Sequence, residues 1–126
     1  MKSRWLGSIG LILVLGVGFV AVSCKKKSNP AGPGGAADVT IGIIGNNGSN
    51  SYFPSPDTVT VGQTVAWHNA DGTTHTATAN GIGQFDTNNI GSGGTSAAIQ
   101  MNTTGSFPYH CKIHGLSMAG TLVVRP

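Results

Sequence analysis

The chain has 126 residues, with seven Lys or Arg against four acidic residues and a formal net charge of +3. Five of the seven cations, Lys2, Arg4 and Lys25 to Lys27, lie ahead of residue 38; beyond it only Lys112 and Arg125 stand against Asp38, Asp57, Asp71 and Asp86. The body of the chain is therefore sparsely charged and slightly acidic, and it lacks the basic face that a nucleic-acid partner requires.

Residues 1–23 read as a signal peptide. Lys2 and Arg4 form a basic start, Trp5 to Ser23 carry no charge, and Ala21-Val22-Ser23 are small residues placed directly before Cys24. The position of Cys24 resembles a bacterial lipoprotein box, with Cys24 as the first mature, lipidated residue. An uncleaved membrane anchor is the alternative, since the uncharged run almost spans a bilayer. Both readings put the rest of the chain outside the cytoplasm, on the periplasmic or cell-surface side of a bacterial membrane. Residues 24–37, from Cys24 and three lysines into Pro- and Gly-rich sequence, have too little apolar surface to offset the entropy of ordering and read as a tether.

Residues 38–126 suffice for one small domain with a modest core. Runs rich in Val, Thr and Ile recur between clusters of Gly, Asn, Asp and Pro, and no segment has a helical period. Strands are expected near 39–44, 58–61, 64–69, 74–79, 95–101, 106–111 and 120–125. Turns are expected at Gly62-Gln63 and Thr104-Gly105. The pattern is all-β, a Greek-key β-sandwich of about seven to eight strands.

The chemistry concentrates in Tyr109-His110-Cys111-Lys112-Ile113-His114-Gly115-Leu116-Ser117-Met118. Singly, a Cys is most often a small buried hydrophobe, a Met core filler and a His a surface residue. Together, a thiolate, an imidazole three residues on and a thioether four further suit a copper ion that must be held in two oxidation states. Zinc would usually take a fourth strong ligand, for which Met is poor. A second His completes the set, and His75 in Asp71-Gly72-Thr73-Thr74-His75-Thr76 supplies it. The expected ligands are His75, Cys111, His114 and Met118. With Cys24 lipidated, Cys111 has no intramolecular partner, and an exported free thiol persists only if buried or metal-bound.

These residues resemble a plastocyanin/amicyanin-type cupredoxin, a small blue copper protein, over about Val39 to Arg125. The matching runs are Thr58 to Trp67, Thr74-His75-Thr76, Gln84-Phe85-Asp86-Thr87, and Thr104 to Cys111, leading on to His114, Met118 and Gly120. Three residues separate His114 from Met118, where amicyanin-like chains have two and plastocyanin-like chains four. The resemblance implies one type 1 copper per chain and an N–H bond from Thr76 to the thiolate sulfur. It also implies electron exchange through the edge of His114, within an apolar rim drawn from Leu116, Gly115, Gly72, Thr73 and Ile82.

The remaining histidines are assigned by strand alternation. Val65 and Trp67 share the core face, so His68 points outward. His110 faces away from Cys111, its strand neighbour. Nitrite-reductase-like cupredoxins use a His-Cys pair to bridge two coppers, but this chain has only His68 to spare, and Asn80 stands five residues past His75. Met101 is read as core and Asp71 as a turn residue.

The expected function is electron transfer rather than catalysis. The expected partners are redox proteins such as cytochromes or membrane electron-transfer complexes, met by a monomer held at the membrane through Cys24. Two alternatives stay open: a copper enzyme subunit with a second, interface copper, and a copper carriage or storage protein.

Overall fold

A computed structural model describes residues 36–126. The signal segment, Cys24 and the tether as far as residue 35 lie outside the described residues.

Eight strands follow one another: β1 Val39–Ile43, β2 Tyr52–Phe53, β3 Asp57–Thr60, β4 Thr64–Asn69, β5 Thr78–Ala79, β6 Ile99–Gln100, β7 Gly105–Cys111 and β8 Gly115–Arg125. They form two four-stranded sheets, ordered β2-β1-β4-β6 and β3-β8-β7-β5. β1 runs parallel to β4 and β3 parallel to β8, while the other pairs are antiparallel. Five of the seven connections cross between sheets, as a Greek-key sandwich demands.

Period-two burial explains the layers. Along β8, Met118, Gly120, Leu122 and Val124 are buried while Ala119, Thr121 and Val123 are half-covered. Along β7, Tyr109 and Cys111 point inward and His110 outward. Ile41, Ile43, Val65 and Trp67 close the core from the other sheet. Its centre is aromatic: Tyr109 meets Tyr52 edge-on at 4.7 Å between centroids and Trp67 at 5.7 Å, and Trp67 stacks on Phe85 at 5.3 Å. Gly120 makes room for this cluster, since a Cβ there would lie 2.6 Å from Tyr109 Cζ. Met101 is buried in the same core, as its alternation with Ile99 predicts.

The expected strands at 74–79 and 95–101 shrink to Thr78–Ala79 and Ile99–Gln100. In the first, residues 75–79 run beside 85–90 through an interrupted ladder. Backbone bonds from the Thr87 N–H to Ala77 O and the Ala79 N–H to Phe85 O alternate with side-chain bonds, the Ala77 N–H donating to Thr87 Oγ1 and the Thr78 hydroxyl to Asp86 Oδ1. In the second, residues 93–96 run beside β4 through irregular bonds, among them Asn69 N–H to Gly94 O at 2.8 Å and Ser96 N–H to Trp67 O at 2.8 Å. This segment half-covers His68, whose Nδ1 lies 2.9 Å from Thr95 Oγ1, so His68 points outward without being free in solvent. β2 was not expected, and β8 starts at Gly115 rather than 120.

Candidate metal centre

Cys111 and His114 belong to the β7–β8 hairpin. The register shifts between His110 and Cys111, and Cys111 then pairs with Gly115 across a turn of residues 112–114. Gly115 has φ +62°, a left-handed conformation in which other residues are strained. Met118, expected in a loop, lies within β8 and is fully buried in the same core as Cys111.

His75 arrives from the other sheet. β4 ends at Asn69, and the chain turns through Asp71 and Thr73 before His75 pairs with Ile90 in both directions, at 3.1 and 2.8 Å. Asn69 is fully buried and ties this turn. Its Nδ2 donates to Thr73 O at 2.7 Å and to Ile90 O at 2.9 Å, and its Oδ1 accepts the Asp71 N–H at 3.0 Å. The structure thus brings three of the four expected residues into one donor group, with His75 Nδ1 3.9 Å and His114 Nδ1 3.5 Å from Cys111 Sγ. The donor atoms all lie within 4.8 Å of one another. A metal bonded to thiolate and imidazole at ordinary lengths, about 2.3 and 2.0 Å, would hold sulfur and nitrogen about 3.5–3.7 Å apart at tetrahedral to trigonal angles. The His114 separation falls in that range and the His75 separation lies slightly above it. One soft thiolate and two imidazoles, with a buried thioether in the same core, fit copper.

The sulfur is placed as an anion. Burial pushes the Cys111 thiol up, but the Thr76 N–H and then the His114 imidazole outweigh it and bring the thiol down to about 6. The Thr76 N–H donates to Sγ at 3.3 Å, the bond expected from the resemblance. Thr76 is itself held, its Oγ1 accepting the Lys112 N–H at 2.9 Å and its carbonyl accepting the Tyr52 hydroxyl at 2.5 Å. Burial first, and then the nearby thiolate, raises the Tyr52 phenol far above its usual range, so it stays a donor.

Asp71 does more than shape a turn. Its Oδ2 lies 2.7 Å from His75 Nε2 and accepts the Thr73 hydroxyl at 2.8 Å. The His75 bond first, with Thr73 behind it, holds the carboxyl at about 2. An ionised carboxylate only accepts, so Nε2 carries the proton and Nδ1 is left to face the thiolate. The turn-forming Asn69-Ala70-Asp71-Gly72 signalled a bend, but nothing in the sequence marked Asp71 or Asn69 as supports of His75.

The other expected positions separate from the site. His110 Nδ1 lies 2.6 Å from Asn80 Oδ1 on the outer side of β7. Ile113 and Leu116 are exposed beside half-buried His114, at 52% and 74% of their surface. Ile82 sits instead on the 80–86 loop, which leaves β5 alongside Pro108, three residues back from Cys111. Two surface depressions, of about 360 and 460 Å³, flank that loop and contain none of the donors.

The two sheets and their strand order form a cupredoxin-like β-sandwich. No family model matches the chain. It is similar to a plastocyanin of Scenedesmus fuscus, 29% identical over 104 residues that cover 70% of this chain and 100% of that protein. Among solved structures it is similar to amicyanin from Paracoccus versutus, at 29% identity and TM-score 0.58, covering 73% of this chain and 86% of that one. It is also similar to the copper-containing nitrite reductase of Thermus scotoductus, at 27% identity and TM-score 0.59, covering 70% of this chain and 22% of that one.

Proposed function

We propose that this protein is a blue copper electron carrier, with His75, Cys111 and His114 as strong ligands and Met118 as the weak fourth. The observation that carries this reading is one buried thiolate flanked by two imidazole Nδ1 atoms at 3.5 and 3.9 Å. When bound there, copper supplies a one-electron Cu(II)/Cu(I) couple that takes an electron from a reduced partner and gives it to an oxidised one. The chain's residues do the rest. Donors fixed by Thr76, Asn69 and the hairpin need little movement between the two oxidation states. Half-buried His114 offers a ring edge at the surface, and exposed Leu116 and Ile113 form an apolar rim for brief docking.

The partners in this reading are redox proteins such as cytochromes or membrane electron-transfer complexes. Lipidation at Cys24 would hold the carrier, exported and monomeric, on the periplasmic or outer side of a bacterial membrane and raise its effective concentration near them.

The likeness to part of a nitrite reductase favours one rival, a domain that shares a second copper with another subunit. In that reading His110 is a ligand, whereas here it bonds Asn80. Copper stoichiometry and the visible spectrum of the copper-loaded chain decide. One copper per chain, an intense thiolate-to-copper band and reversible one-electron titration are expected. Two coppers per chain, with loss of one in His110→Ala, would overturn the carrier reading.

A further inference from the structure

His75 is the imidazole donor with no exposed surface, and its ring has two nitrogens with separate tasks. Nδ1 faces the thiolate at 3.9 Å, and Nε2 meets a carboxylate, Asp71 Oδ2, at 2.7 Å. That carboxylate is fixed from three sides. Its own backbone N–H is held by Asn69 Oδ1, and the Thr73 hydroxyl donates to the same oxygen that meets Nε2. Gly45, buried and at φ +111°, packs its backbone against the carboxylate, and a Cβ there would lie 3.4 Å from Asp71 Cγ. The Asp71 side chain keeps only 32% of its exposure, so the bond to Nε2 is partly shielded from water.

Resting on the copper reading above, we infer that Asp71 is a positioning and tuning residue of the centre. Its carboxylate locks the His75 ring with the proton on Nε2 and Nδ1 free for the metal. The negative charge draws that proton and makes Nδ1 a stronger donor. A stronger donor stabilises Cu(II) over Cu(I), so the carboxylate holds the potential below what a neutral acceptor would give. The tuning acts on the buried ring and leaves the surface ring of His114 unaltered.

Asp71→Asn keeps an oxygen acceptor and removes the charge, whereas Asp71→Ala removes the acceptor. In the copper-loaded full chain, Asp71→Asn is expected to keep the thiolate-to-copper band and raise the midpoint potential. Asp71→Ala is expected to weaken copper binding by about 10–100-fold. In the zinc-loaded chain, the His75 Nε2–H resonance should exchange slowly in the wild type and rapidly in Asp71→Ala, a readout independent of redox chemistry. Wild-type potential in Asp71→Asn with weakened binding in Asp71→Ala would leave positioning standing and overturn the tuning. Wild-type behaviour of both variants in all three measurements would overturn the inference. A wild-type chain that binds no copper in a coloured form would instead overturn the function it rests on.

Discussion

The two imidazoles of the donor group are held in opposite ways. The upstream turn, residues 69–76, is a closed network: Asn69, Asp71, Thr73, His75 and Thr76 bond one another or the neighbouring backbone, and His75, Asn69 and Thr76 are fully buried. The downstream turn, 112–114, is a tight hairpin whose His114 is half-exposed between two exposed apolar residues. One side of the site is built for rigidity and the other for contact. For an electron carrier this divides the work: the network limits rearrangement on reduction, and the hairpin presents the edge through which a partner is met.

The thiolate joins the two halves, so removing it should have the largest effect. Cys111→Ser is expected to abolish the charge-transfer band altogether and to release copper that the wild type retains in dialysis. A serine variant that kept an intense visible band would show that another group supplies it, and the division into two halves around Cys111 would fail.

The next effect tests the asymmetry itself. In the metal-free chain, His75→Ala empties a fully buried position and leaves Asp71 and Thr73 facing a void, at a cost of about 2–4 kcal/mol. His114→Ala truncates a half-exposed ring and should cost under about 1 kcal/mol. Urea denaturation of both variants measures the difference, and equal losses would mean that the upstream network adds no rigidity.

How much of this was legible depended on whether a residue acts through local spacing or through the fold. Cys111 and His114 sit three apart, a spacing that a hairpin turn turns directly into proximity, and the thioether at Met118 narrowed the metal. His75 lies 36 positions from Cys111, and only the missing ligand and the family resemblance pointed to it. Asp71 has a sufficient local reason to stand in a Gly-containing turn, so its bond to His75 had no signature. The all-β sandwich followed from alternation, and Val65, Trp67 and Met101 fell on the buried face as read. β2 escaped because two strand residues between Asn/Ser and Pro clusters carry no period. The 74–79 strand came out shorter than expected because threonine, β-branched and common in strands, here also bonds through its hydroxyls, and the Thr78 and Thr87 side chains interrupt the backbone ladder.

A smaller effect is expected on the contact side. Leu116→Asp places a charge on the apolar rim without touching a donor. Electron exchange with a redox partner should slow by about tenfold through weaker docking, while spectrum and copper content stay at wild type. Stopped-flow reduction of the copper-loaded chain by a purified cytochrome measures this. An unchanged rate would move the docking surface away from the hairpin.

The smallest effect concerns the tie between the hairpin and the rest of the sheet. Lys112 has two anchors: its backbone N–H donates to Thr76 Oγ1, and its ammonium lies 2.6 Å from Asp86 Oδ2. Burial pushes the Asp86 carboxyl up, but Lys112, the Asn88 N–H and the Thr78 hydroxyl outweigh it, and the net shift is downward. Lys112 and Asp86 keep 47% and 37% of their side-chain exposure, so water and salt screen the pair heavily. Lys112→Ala removes the ammonium and leaves the backbone bond, and it should destabilise by about 0.2–1 kcal/mol near neutral pH. The sign with pH follows from the lowered carboxyl: its stabilisation is present above the ordinary carboxylate range and is lost as pH falls through the folded-state value. Wild type and Lys112→Ala should therefore converge in acid and in high salt. A difference that persisted in both would locate the role of Lys112 in the backbone of the hairpin rather than in its charge.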